Sequence, residues 1–236
     1  MILAIHQPNF LPWLGFFYKW ANSDLLVLLD DAQFSKGNII NRVKIKAAEG
    51  ARWLTVPVQS KGQHLQQIRE VRIDYRGHWQ HKLLGSISAC YGQAPYFKDH
   101  SRELQAILLQ ENEYLVDLNI RLIAWLAGKF SIAVPVRRSS ELTGITGTAS
   151  ERLASIGRAL GATVYLAGQG GQKYHDEDAF RRQQLQVRKS DFQHPVYSQL
   201  WGDFIPGLSA LDYLMNQGQG RIGQTPGPGS ARKDPS

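Results

Sequence analysis

Residues Met1 to Trp20 read MILAIHQPNFLPWLGFFYKW, and the fold turns on how this stretch divides. MILAI is a short apolar run of the kind found in strands covered on both faces. His6-Gln7-Pro8-Asn9 leaves it through a turn, because proline cannot serve a central ladder. Pro12 suits the first turn of a helix, where an N–H has no use. LGFFYKWANS then carries a helical pattern, and LLVLLDD, Leu25 to Asp31, is a second buried run. Strand, crossover helix and strand make a βαβ unit, which requires a parallel sheet.

Working outward, RWLTVPV (Arg52 to Val58) is expected as a third strand, and IREVRID (Ile68 to Asp74), alternating apolar with charged, as a half-exposed one, with SKGQH between them as the turn. From Trp79 to Phe130 the period becomes helical: Leu104, Leu108, Leu115, Leu118, Leu122 and Leu126 recur at three- and four-residue steps, and Pro95 divides the region into two or three helices. VPVRRSSEL resumes an extended run. Thr148 and Glu151 spell a capping box for a helix that Gly161 closes, TVYLA (Thr163 to Ala167) is another buried strand, and LQVRKSDF is the last. Ser209 and Asp212 stand ready to cap a short final helix. The expected fold is α/β: one domain over residues 1–217, a mainly parallel Rossmann-like sheet with helices on both faces, and a helical insertion at about 79–130. Residues 218–236, rich in Gly and Pro, form a tail expected to be disordered.

The chain has 236 residues, 43% of them hydrophobic, enough for a sizeable core. One cysteine, Cys90, excludes an internal disulfide framework and reads as a small buried hydrophobe; no Cys/His spacing suggests a metal site. The absence of a signal pattern and of any apolar run of membrane-spanning length leads to a cytoplasmic expectation. The net charge is +7, of which Arg221, Arg232 and Lys233 less Asp234 contribute +2 from the tail. No basic cluster interleaves with aromatics, so the charge does not favour nucleic acid.

Ligands of open α/β sheets bind beyond the carboxyl ends of the strands. That rule would gather HQPN, DDAQFSKGNIINRVK and AGQGGQKY. His6 there suits a phosphate at a helix N-terminus, with Gln7 and Asn9 as amide contacts. Phe10, Trp13, Phe16, Phe17 and Trp20 read as core. Asn41 and Arg42 would bind substrate and Lys44 would neutralise developing charge, with Lys36 and Asn38 adding donors; alternating Arg42, Lys44 and Lys46 with Val43 and Ile45 equally fits an edge strand. Asp30 and Asp31 are expected to order the Lys36–Arg42 loop by ion pairing rather than to hold a metal. Gly168, Gly170 and Gly171 suit close backbone approach to a ligand, and Tyr174 a substrate contact. His64, His78, His81, His100 and His194 fall on expected surfaces and turns and take no role.

HQPNFLPWLGFFYKW, DDAQFSKGNIINRVKIK, WLTVPV, WQHKLLGSISACYGQAPYF and PVYSQLWGDFIPGLSALDYLMNQG together resemble the WbqC-like family of bacterial proteins over nearly the whole chain to Gly218. Members are often encoded among genes for O-antigen and other surface polysaccharides, which implies a role there without naming a reaction. A fainter similarity is to nucleotidyltransferases with the HIGH-type motif: His6 matches its first histidine and Gly15 its glycine, while Phe16 stands where the second histidine would be. The resulting expectation is a transferase or ligase that uses a nucleotide on an activated sugar or amino-sugar precursor, with His6 and Lys44 catalytic. Its substrate would be a nucleotide triphosphate or nucleotide sugar, with Mg2+. The alternative is a non-catalytic protein that binds a glycan or nucleotide sugar.

Overall fold

A computed structural model of the protein describes residues 1–35, 37–59, 65–169, 176–220 and 222. Five strands make one wholly parallel sheet: β1 (Ile2–His6), β2 (Leu25–Leu28), β5 (Val136–Arg138), β6 (Val164–Ala167) and β7 (Gln186–Lys189), in the order β5-β2-β1-β6-β7. Helix α1 (Leu14–Ala21) makes the first crossover. The chain builds outward from β1 on one side, then crosses to β6 on the other, so the order of strands reverses between β1 and β6.

Alternate residues of each buried strand face opposite cores, as the two-residue strand period requires. Ala4, Leu26 and Leu28 join the larger core, shared with α1, with α2 (Trp79–Tyr91), α3 (Phe97–Leu109) and α4 (Leu115–Lys129) of the helical insertion, and with α7 (Ala210–Gln217). Leu3, Ile5, Leu25, Val27 and Tyr165 join a smaller core on the other face, covered by α5 (Ala149–Ala159) and α6 (Glu177–Arg182). The Rossmann-like α/β expectation, with helices on both faces, therefore holds.

Two expected strands differ. Residues 42–55 form a separate antiparallel hairpin, β3 (Arg42–Ala47) with β4 (Gly50–Thr55), outside the parallel sheet. Ile68–Glu70 is a 3-10 turn, followed by isolated bridges from Arg72 to Tyr114 and from Ile73 to Val58. The alternation was real, since Ile68, Val71 and Ile73 are buried, but their neighbours are irregular chain and the start of α4, so no continuous ladder forms. Thr148 is the N-cap of α5 without a side-chain bond to it; Glu151 instead lies 3.8 Å from Arg182. Gly161 closes that helix in the left-handed region, at φ +67°. At the far end Ile222 packs against the larger core; residues 221 and 223–236 lie outside the described residues.

Asp212 does not cap α7, whose N-cap is Ser209, accepting from the Leu211 N–H. It is fully buried and accepts hydrogen bonds from Tyr91 Oη (2.9 Å), Tyr197 Oη (2.8 Å) and Gln199 Nε2 (2.8 Å). Burial pushes its carboxyl pKa up, and these donors with nearby Lys46 work against that rise. Lys46, also buried, donates to the carbonyls of Gly202 and Asp203. This cluster ties α2, β3, α7 and the segment 197–203 together. Asp212→Ala should cost about 3 kcal/mol in denaturant unfolding, since buried Tyr91 and half-buried Tyr197 and Gln199 lose their acceptor. Arg76→Ala, at an exposed ion pair, should leave the midpoint nearly unchanged in the same measurement.

Candidate functional site

The turn from His6 to Trp13 is fixed from several directions. Asn119 of α4 donates from Nδ2 to the carbonyls of Pro8 (2.7 Å) and Ile40 (2.8 Å), and Phe10 N–H donates to Ile39 O. Ser209 Oγ donates to Leu11 O and Ala210 N–H to Pro12 O, both at 2.8 Å. Pro12 lies just outside α1, whose N-cap is Trp13.

This turn and the β3–β4 hairpin enclose a cleft of about 280 Å³, lined by Asn9, Trp13, Ile39, Lys44, Trp53 and Gly207 among others. Lys44 and Trp53 are partners in the hairpin register. The Arg42 guanidinium carbon lies 4.2 Å from the Trp53 ring centre, and Lys44 Nζ 5.2 Å from it, both within cation–π range. Trp13 stands perpendicular to Phe192, at 5.3 Å between ring centres. Its indole also explains Gly15, where an added Cβ would sit 2.5 Å from that ring. Asn9 is only 2% exposed, yet its Oδ1 has no partner among the described residues.

Of the expected site residues, Asn9 and Lys44 line this cleft, with Arg42 on the ring of Trp53. Asn41 is buried, donates from Nδ2 to Val56 O and accepts at its carbonyl from Val56 N–H; it pins the end of the hairpin. The aromatics separate too: Phe10, Phe16, Phe17 and Trp20 are core, whereas half-buried Trp13 forms a cleft wall.

His6, Gln7 and Gly168 lie instead at the carboxyl edge of the sheet. Phe16 packs edge-on against the His6 imidazole, with ring centres 4.8 Å apart, so the residue standing for a second histidine is a hydrophobic neighbour of the first. His6 Nδ1 is 3.0 Å from Gln7 O. A carbonyl can only accept, so Nδ1 carries the proton and Nε2 keeps a lone pair. Burial, and the charge of Lys19 after it, lower the imidazole pKa to about 3. The ring is neutral near pH 7, and a pKa that low makes it a hydrogen-bond partner rather than a base.

Lys19 is the residue that sequence reasoning missed. It is 4% exposed, donates from Nζ to Ile5 O at 2.7 Å, lies 5.6 Å from the Tyr165 ring centre, and is brought by burial to a pKa of about 7. The available signal was a lone lysine inside the aromatic helix GFFYKW.

Asp30 and Asp31 do order neighbouring chain, through partners that among the described residues lie outside the Lys36–Arg42 loop. Asp30 accepts from Arg138 Nε (2.7 Å), Ser139 Oγ, Ser140 N–H and Ser140 Oγ; Asp31 accepts from Ser139 Oγ and Arg152 (both 2.5 Å). Parallel pairing of β5 with β2 sets Arg138 opposite Leu28, within reach of Asp30. His100, expected on the surface, is buried with neither ring nitrogen partnered among the described residues, and its pKa is lowered by burial and Lys129. Lys36, His64, Gly170, Gly171 and Tyr174 lie outside the described residues. Among those described, no three His, Cys, Asp or Glu side chains are grouped to hold a metal ion, and no helix is long and apolar enough to cross a membrane.

Residues 7–223 match the model of the WbqC-like protein family. The chain belongs to that family. It is also 34% identical over 222 residues to an uncharacterized protein of Mycobacterium tuberculosis, a match covering 92% of this chain and 94% of that one. No solved structure matches it significantly. The family match begins at Gln7, so it spans both the cleft and most of the turn that leads to it.

Lys19 binds fewer protons in the folded chain than in the unfolded one between about pH 7 and its ordinary value of 10.5. Its contribution therefore disfavours folding below about pH 7 and is relieved as pH rises through that window, by up to about 1.4 kcal/mol per pH unit. Urea unfolding of the parent and Lys19→Met between pH 7 and 9 should show this rise in the parent and its absence in the variant.

Proposed function

We propose that this WbqC-like protein is a transferase or ligase that takes an activated sugar or amino-sugar precursor, carried as a nucleotide sugar or paired with a nucleotide triphosphate, in the synthesis of a surface polysaccharide of the O-antigen type. The observation that carries the reading is the cleft lined by Lys44 and Asn9 together with the rings of Trp13 and Trp53. Aromatic walls with a few placed polar groups suit a ring-bearing ligand with an anionic group. Trp53 offers a stacking surface for a ring. Lys44 supplies positive charge where oxygen charge develops during transfer, with Arg42 beside it as a second cation. His6, neutral and at the other end of the same turn, is suited to hydrogen-bond a substrate group rather than to neutralise phosphate. Mg2+ would enter with the nucleotide phosphates.

The apolar character of most of the cleft lining, and the place of His6 outside it, favour a second reading: a non-catalytic protein that holds a glycan or nucleotide sugar. The two readings share a ligand and differ in turnover.

Nucleotides and nucleotide sugars, with and without Mg2+, should be screened for a shift in the melting temperature; ligand at 100 times its Kd adds about 2.7 kcal/mol. A stabilising ligand is expected for the parent, with the shift lost in Lys44→Ala and Trp53→Ala. No shift across the panel would overturn both readings. With that ligand in hand, His6→Ala should lower turnover while ligand binding persists. Binding without turnover in the parent selects the non-catalytic reading.

A further inference from the structure

The sheet opens at its carboxyl edge between β1 and β6, where the strand order reverses. Pairing of β1 with β2 continues to His6↔Leu28, and pairing of β6 with β7 continues to Ala167↔Lys189, but β1 and β6 pair only as far as Ala4↔Leu166. The two central strands therefore separate before their outer ladders end. His6 O accepts from Leu29 N–H on the β2 side. Carbonyls alternate along a strand, so Ile5 O faces β6. Its donor is Lys19 Nζ, at 2.7 Å, in place of a β6 backbone N–H. Beside it, a Cβ added at Gly168 would meet no atom within 4 Å.

Lys19 is buried without a counter-charge. Among the described residues no carboxylate comes within ion-pair distance of it, and its one hydrogen bond leaves the other Nζ donors unused. The titratable groups that face it are His6 from β1 and Tyr165 from β6, with no acid from α1. The other buried charges do have polar company: Asp30 has Arg138 and two serines, Asp212 two tyrosines and a glutamine, and Lys46 two carbonyls.

We propose that the opening between β1 and β6 is a binding site for a phosphoryl-type dianion, and that the Lys19 ammonium supplies its charge. The site lies apart from the Trp13–Trp53 cleft and shares only His6 with the reading given to it; its anion binding rests on Lys19. It consists of Lys19, the strand ends at Ile5 and His6, and the backbone at Gly168. Neutral His6 adds no second cation there, so the charge rests on Lys19. Lys19 is largely uncharged above its lowered pKa. A dianion bound beside it holds the ammonium form, so binding above that pH takes up a proton, which the buffer provides. The anion belongs either to a nucleotide or to free inorganic phosphate.

Isothermal titration calorimetry of the full chain near pH 8, in buffers of different ionisation enthalpy, tests this with inorganic sulfate, a probe that stays dianionic throughout. The parent is expected to bind sulfate with uptake of close to one proton, falling away below about pH 6 where Lys19 is already charged. Lys19→Met should weaken sulfate binding at least tenfold and abolish the uptake. A nucleoside monophosphate that binds more tightly than sulfate with the same uptake identifies the anion as belonging to a nucleotide; equal affinity identifies a free-anion site. The proposal is overturned if the parent binds no sulfate, if it binds without proton uptake, or if Lys19→Met binds with unchanged affinity. Uptake in the parent is decisive even if the variant fails to fold, because it needs no substitution.

Discussion

The structure depends on how the turn between β1 and α1 is held. Its prolines and left-handed Leu11 keep it out of regular structure, so its carbonyls need donors from elsewhere. Asn119 serves Pro8 and, with the same amide, Ile40; Ser209 and Ala210 serve Leu11 and Pro12. One turn thus fixes the insertion, the start of the hairpin and the last helix against the first strand. The cleft exists because those three segments, distant in sequence, are held to that turn.

Buried charge is the second constraint, and the protein meets it in two ways. Asp30, Asp31, Asp212 and Lys46 are surrounded by fixed donors or acceptors and work as fasteners between elements, since a buried ion needs specific partners. Asp30 and Asp31 bind the end of β5 and the helix α5 to the end of β2. Lys19 differs: it has one carbonyl partner and a depressed pKa, an arrangement that costs stability and that a purely structural lysine would not need. The contrast between four satisfied charges and one unsatisfied one sets the carboxyl edge of β1 apart from the rest of the core.

The site residues were legible in proportion to how local their reasons were. Asn9 and Lys44 could be singled out because a short turn and an alternating strand present them regardless of context. Asn41 has a similar sequence setting but is consumed by Val56, a partner that only hairpin pairing brings near. Trp13 read as core because it shares a stripe with Phe16, Phe17 and Trp20, yet the close approach at Gly15 and the contact with Phe192 stand it in the cleft wall. Likewise His100 looked like a surface residue beside Lys98 and Asp99, while the packing of α3 turned it inward.

The sequence by itself determined the βαβ opening, the parallel sheet and the helical insertion, because hydrophobic period and turn chemistry act over a few residues and need no knowledge of what lies opposite; the resemblance of whole segments pointed to the WbqC-like family. Tertiary structure alone decided that Arg42–Thr55 leaves the sheet as a hairpin, that Asp30 and Asp31 bind Arg138 and Arg152, and that β1 and β6 separate around Lys19. Each of these is a matter of pairing between residues far apart in the chain. A carboxylate or an ammonium carries no local mark of the partner it will meet, and the reversal of strand order that places Lys19 at an opening is a property of the whole sheet.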